Sequence, residues 1–164
     1  MRPDGRTLFF TLMKNGAAVP LTPFDAGAAW RTDADTDDRL TRVVDAGGAT
    51  LGWQYYVAKS EETEHYDAAG RLSAVVHRAG STHALAYDGN GRLASVTDAF
   101  GRQLAMAYDA GGRLATITDP ANHVYQYAHD ATGNLTAVTF PGGGTRTYVY
   151  NESALTGVDR KSVV

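Results

Sequence analysis

One heptapeptide returns at a fixed interval of 21 residues, and that period limits the chain to architectures built from a repeated unit. The copies are Tyr66-Asp67-Ala68-Ala69-Gly70-Arg71-Leu72, Tyr87-Asp88-Gly89-Asn90-Gly91-Arg92-Leu93 and Tyr108-Asp109-Ala110-Gly111-Gly112-Arg113-Leu114. A weaker fourth copy is His129-Asp130-Ala131-Thr132-Gly133-Asn134-Leu135, and Tyr150 opens a fifth that fails at once. Each unit has to bury its apolar face against neighbouring units, so the recurring polar residues are expected to be turn chemistry.

Every unit carries two turn signals. Gly70, Gly80, Gly91, Gly101, Gly112, Asn122, Gly133 and Gly143 stand at turn-closing positions, separated alternately by 10 and 11 residues. An Asp that opens a turn accepts a hydrogen bond from the backbone two residues on. A Gly three residues later takes positive φ and closes a type I turn with a bulge, and Asn is the best substitute for Gly there. Pro120 and Pro141 fit the position just after the opening residue.

The segments between turns are long enough for single strands. Leu104, Met106 and Tyr108 alternate along one segment, and Tyr125 and Tyr127 hold matching positions in another. The partner segments carry Leu72 and Val75, Leu93 and Val96, Leu114 and Ile117, Leu135 and Val138. A spacing of three breaks strict alternation, so a bulge is expected near each Leu. The reading is an all-β, antiparallel meander of short hairpins without helices.

The pattern divides the chain into four segments. Residues 1–33 form an irregular β segment, with a strand from Thr7 to Met13, a turn at Lys14-Asn15-Gly16 and a poor partner from Ala18 to Leu21. Residues 34–65 hold a degenerate copy (Arg39, Leu40, Val43, Asp45, Gly48, Leu51, Trp53, Tyr55) and an extra hairpin. The strands of that hairpin are Trp53 to Ala58 and Thr63 to Tyr66, joined by a polar turn at Lys59-Ser60-Glu61-Glu62. Residues 31–38 read as an exposed acidic loop, residues 66–150 as four repeat units, and residues 151–164 as an uncapped tail without the pattern.

Composition excludes several functions. The chain contains no Cys, so disulfides, thiolate nucleophiles and zinc–thiolate sites are absent. A net charge of −3 with scattered Lys and Arg argues against a nucleic-acid surface. No apolar run is long enough to span a membrane, and Met1 to Gly5 does not begin a signal peptide.

Other constellations compete with turn chemistry. The aspartates Asp67, Asp88, Asp98, Asp109, Asp119 and Asp130 supply one carboxylate per turn, whereas calcium loops crowd several oxygen ligands together. His65, His77, His83, His123 and His129 are spread over several strands, so no metal site is expected. Ser60, His65 and Asp67 have the residue types of a hydrolase triad but lack a nucleophile elbow. Gly142-Gly143-Gly144-Thr145 lacks the Lys and helix of a phosphate loop. No catalytic, cofactor-binding or metal-binding residue is therefore assigned. The tyrosines read as a packing ladder, with a carbohydrate- or cell-surface-binding face as the alternative.

The units Tyr66 to Ala86, Tyr87 to Ala107 and Tyr108 to Ala128, with Val96-Thr97-Asp98 and Ile117-Thr118-Asp119, resemble the YD repeats of Rhs proteins. That resemblance implies a strip of a hollow β-cocoon in a bacterial polymorphic toxin. It implies a structural, non-enzymatic role around a C-terminal toxin domain that this chain lacks. Implied partners are further YD repeats of the parent chain, the enclosed toxin domain and secretion-apparatus proteins. Delivery would follow type VI secretion or contact-dependent competition. The chain departs from the pattern in holding too few units to close a cocoon. Its single Asp-Pro, Asp119-Pro120, lacks the following Gly-Leu of the family's cleavage site.

Overall fold

A computed structural model of the chain describes residues 11–14, 17–18, 29–31, 37–151 and 154–161. Among them there is no helix, and every strand pair is antiparallel. The chain forms two compact units, 1–85 and 86–164.

In the first unit the strands are β1 (Thr11–Lys14), β2 (Ala17–Ala18), β3 (Ala29–Arg31), β4 (Arg39–Val44), β5 (Thr50–Val57), β6 (Glu62–Asp67), β7 (Leu72–Val76) and the start of β8 (Thr82–Tyr87). Their order follows the chain except that β1 lies between β2 and β3. In the N-terminal segment Met13 lies opposite Ala18 and Lys14 opposite Ala17, so Lys14, expected in the turn, belongs to the strand. The remainder of the expected hairpin (7–10, 15–16 and 19–21) lies outside the described residues. The extra hairpin is β5 and β6, with Trp53 opposite Tyr66 and Tyr56 opposite Thr63.

The second unit contains β9 (Leu93–Thr97), β10 (Gln103–Tyr108), β11 (Leu114–Thr118), β12 (Val124–His129), β13 (Leu135–Thr139), β14 (Thr145–Asn151) and β15 (Ala154–Lys161), in chain order. Register sorts its side chains onto two faces of unlike chemistry, because neighbours along a strand point to opposite sides. One face pairs Leu104 with Val96, Met106 with Ile117, Ile117 with Tyr125, and Tyr127 with Val138. The other pairs Gln103 with Thr97, Ala107 with Thr116, Thr116 with Gln126, and Thr139 with Thr145. The apolar face has little depth. Among the described residues only Tyr55 and Val138 are buried hydrophobics, and no side chain is fully buried.

The expected bulges fall one residue after the Leu. Tyr108 faces Leu114 and Ala107 faces Thr116, leaving Ala115 as the extra residue. The same shift leaves out Ser73 and Thr136 in their strands, and in the degenerate copy, where Thr50 stands at the Leu position, it leaves out Leu51. A bulge hydroxyl can then reach the opposite strand: Ser73 Oγ donates to the His65 carbonyl at 3.1 Å, and Thr136 Oγ1 donates to that of Ala128 at 3.1 Å.

Two expectations are corrected. The tail is not patternless: β15 pairs with all of β14, and its bulge falls at Thr156, whose Oγ1 donates to the Val149 carbonyl at 3.0 Å. Leu155 and Val158 therefore repeat the Leu–Val spacing of the earlier strands, and Tyr150 faces Leu155. The acidic stretch is not wholly exposed either. Asp38 is buried, accepting from the Tyr55 hydroxyl and, at 2.8 Å, from the Ala58 amide. It ties the start of β4 to the turn after β5, which a solvated loop would not do.

Candidate functional site

Among the described residues the repeated turns hold a recurring set of polar contacts. Gly70, Gly80, Gly91, Gly101, Gly112, Gly133 and Gly143 all have positive φ, and Asn122 joins them at 64°. Gly48, in the degenerate copy, has φ 83°. Each turn is closed by the same pair of backbone bonds, for example Gly91 N–H to the Asp88 carbonyl at 2.9 Å and Asp88 N–H to the Arg92 carbonyl at 2.8 Å.

The turn aspartate uses both carboxylate oxygens. Asp88 Oδ1 accepts from the backbone of Asn90 and Arg92, each at 2.9 Å. Asp88 Oδ2 accepts from Arg92 Nε and Nη2, each at 2.7 Å. Asp67 with Arg71, Asp98 with Arg102 and Asp109 with Arg113 repeat the ion pair. Where Arg is replaced, the partner changes but the geometry persists: His123 Nδ1 lies 3.0 Å from Asp119 Oδ2, and Asn134 Nδ2 lies 3.0 Å from Asp130 Oδ2. The residue four after the Asp is thus as much a part of the turn as the Gly.

These donors hold the carboxyls below the usual range. For Asp67, Asp88, Asp109 and Asp119 the largest cause is the backbone N–H four residues on. At Asp98 burial opposes the shift, but the Arg102 side-chain and backbone bonds outweigh it. At Asp130 the Thr132 hydroxyl contributes most, and the carboxyl falls to about 2.

The motif also links successive repeats. The Arg92 guanidinium lies 4.4 Å from the ring centroid of Tyr108, whose hydroxyl donates to the Leu93 carbonyl at 2.8 Å. Arg113 Nη1 donates to the Asp130 carbonyl at 2.6 Å. An Arg in one unit therefore touches the Tyr-Asp of the next. Tyr66 and Leu72 face each other, as do Tyr108 and Leu114. Tyr87, Leu93 and Gly133 are the corresponding residues of their own repeats in the sequence.

The other constellations do not assemble. Each turn carboxylate accepts from donors of its own turn. In the hydrolase combination, Asp67 is committed to Arg71 and the turn amides rather than to a histidine. His123 serves its turn, while His129 faces Leu135 in the Tyr position. Among the described residues no three His, Cys, Asp or Glu side chains converge on a metal site. The Gly142–Gly144 run is a turn, with Phe140 N–H donating to the Gly144 carbonyl at 2.8 Å. Two tyrosine hydroxyls are taken up by carboxylates: Tyr66 donates to Glu64 at 2.6 Å, and Tyr55 donates to Asp38.

The RHS Repeat family matches residues 87–124, which run from the second Tyr-Asp copy to the first residue of β12. Within those bounds the sequence matches an RHS repeat. No curated protein matches it. Among solved structures it is similar to a chain of the TcdB2–TccC3–Cdc42 crystal structure, with a TM-score of 0.53 at 16% identity over 81% of this chain and 8% of that one. It is also similar to a chain of the Tc holotoxin pore of Photorhabdus luminescens, with a TM-score of 0.52 at 12% identity over 93% of this chain and 10% of that one. These likenesses show a shared fold. The chain spans about a tenth of the length of the structures it resembles.

Proposed function

We propose that this chain is a non-catalytic wall segment of a larger Rhs-type shell, a β-cocoon that encloses a toxic domain of the same parent protein. One observation carries the reading: the sheet of each unit is a single layer whose apolar face is left half-exposed among the described residues, while its polar motif is spent within the turns and between successive repeats. A sheet with one apolar face is stable only against a second layer. Further repeats would extend the sheet at β15, the last strand in the order, and the enclosed domain or another part of the wall would cover the apolar face. The likeness to chains of TccC3-containing assemblies supports a toxin context. Secretion-apparatus partners and delivery to neighbouring cells, by type VI secretion or by contact, belong to the same reading.

The test is the encoding reading frame and its product. Read past codon 164, the frame should continue through further Tyr-Asp-x-x-Gly-Arg-Leu units to an unrelated C-terminal domain. A stop codon at that point, with no neighbouring gene supplying repeats, would overturn the proposal.

A further inference from the structure

The histidines are dispersed in sequence, yet the first unit brings two of them together. His77 follows the last residue of β7, and His83 lies on β8, opposite Val75. The turn between them is fixed by Gly80 at φ 83° and by the His77 N–H to Ser81 carbonyl bond at 2.9 Å. His77 Nε2 lies 3.0 Å from His83 Nδ1, with ring centroids 4.7 Å apart and planes at 81°. His77 Nδ1 lies 2.8 Å from Glu62 Oε1 on the adjoining β6. His77 occupies the turn-opening position that Asp67, Asp88, Asp98, Asp109, Asp119 and Asp130 hold elsewhere, so this turn has exchanged its carboxylate for an imidazole.

We propose that His77 and His83 form a two-imidazole site for a divalent transition-metal ion, oriented by Glu62. With metal–nitrogen bonds of about 2.0–2.1 Å, two cis ligands lie about 2.9 Å apart at a right angle and about 3.4 Å apart at a tetrahedral angle. The two nitrogens stand 3.0 Å apart as a hydrogen-bonded pair, so the ion would displace the shared ring proton at a spacing between these values, with the rings turning to converge on it. A metal-bound histidine characteristically gives its other ring N–H to a carboxylate, which fixes its tautomer, and Glu62 stands at that second nitrogen. The neighbouring Glu61 is neutralised by Arg78 at 2.9 Å. Imidazole donors select Ni²⁺, Cu²⁺ or Zn²⁺ over Mg²⁺ or Ca²⁺. No third protein donor converges among the described residues, so the remaining positions are open to water or to a donor from another segment.

Isothermal titration of the full chain with NiCl₂, and separately with ZnCl₂, tests the site. One ion should bind per chain. Binding should be lost in His77→Ala and in His83→Ala, weakened about tenfold or more in Glu62→Gln, and kept in His65→Ala. Circular dichroism of each variant checks folding. If His77→Ala alters the turn, His83→Ala and Glu62→Gln carry the test. Absence of a saturable isotherm in the unaltered chain, or binding that survives loss of either imidazole, overturns the proposal.

Discussion

The Arg92 guanidinium lies 4.4 Å from the Tyr108 ring centroid, joining the turn of one repeat to the strand of the next. The same guanidinium is anchored at 2.7 Å by Asp88, and the Tyr108 hydroxyl returns a bond to the residue after Arg92. A double-mutant cycle on Arg92→Ala and Tyr108→Ala should give a coupling of about 0.5–1 kcal/mol in urea unfolding, the scale of an exposed cation–π contact. Tyr108→Phe alone should lose about 1 kcal/mol through the Leu93 carbonyl bond. Additive single mutants would mean that the contact does not stabilise the fold.

The turn-closing residues should respond to φ rather than to space. Gly112 has φ +78°, and an added Cβ would meet only the end of the Arg92 side chain at 3.5 Å. Gly112→Val should cost about 1–2 kcal/mol, because a β-branched residue resists left-handed backbone. Asn122→Gly, at φ 64°, should be neutral or slightly stabilising. Thermal unfolding of both variants decides this, and equal losses would contradict the turn assignment.

Gly52 answers to a different constraint. A Cβ there would lie 2.1 Å from the Tyr66 carbonyl oxygen on the paired strand. The obstacle is backbone, so β5 and β6 would have to separate. Gly52→Ala should destabilise the first unit by about 3 kcal/mol, more than Gly112→Ala, despite its smaller conformational demand. A neutral Gly52→Ala in urea unfolding would contradict the register of Gly52 with Asp67.

Acid should loosen the turns together. The carboxyls of Asp67, Asp88, Asp98, Asp109 and Asp119 are held below their usual range, and Asp130 lies at about 2. A depressed folded value means that the unfolded chain binds protons first, so the contribution is fully present above about pH 4 and is lost as pH falls through the folded values. The Tm should stay level from pH 7 to about 5 and fall between about pH 4 and 2. A transition centred near pH 6, or none down to pH 2, would show that these carboxylates do not stabilise the turns.

The turns were legible because Gly and Asn mark left-handed positions and Asp marks the residue that opens them. The bulges were legible because the Leu–Val spacing of three cannot alternate. The fifth unit was not. Between Tyr150 and Leu155 it is one residue shorter than between Tyr108 and Leu114, and that deletion hid a strand whose register follows the earlier ones. Asp38 was misread because an acidic run signals solvent unless a buried hydroxyl waits for it, and Tyr55 lies 17 residues away. The stacking of Arg92 on Tyr108 depends on how successive hairpins offset their turns, which no local pattern encodes. The pairing of His77 with His83 was within reach, since both flank one predicted turn, but ring orientation comes only from three dimensions.

The central claim is that these repeats build a wall around something else. Cryo-electron microscopy of the full parent protein tests it most directly. The account predicts a closed shell in which Arg92 stacks on Tyr108 within the wall, the strand order continues beyond β15, and the face bearing Met106, Ile117 and Val138 is covered. A map showing this strip open, with that face bare to solvent or occupied by a small ligand, would contradict it.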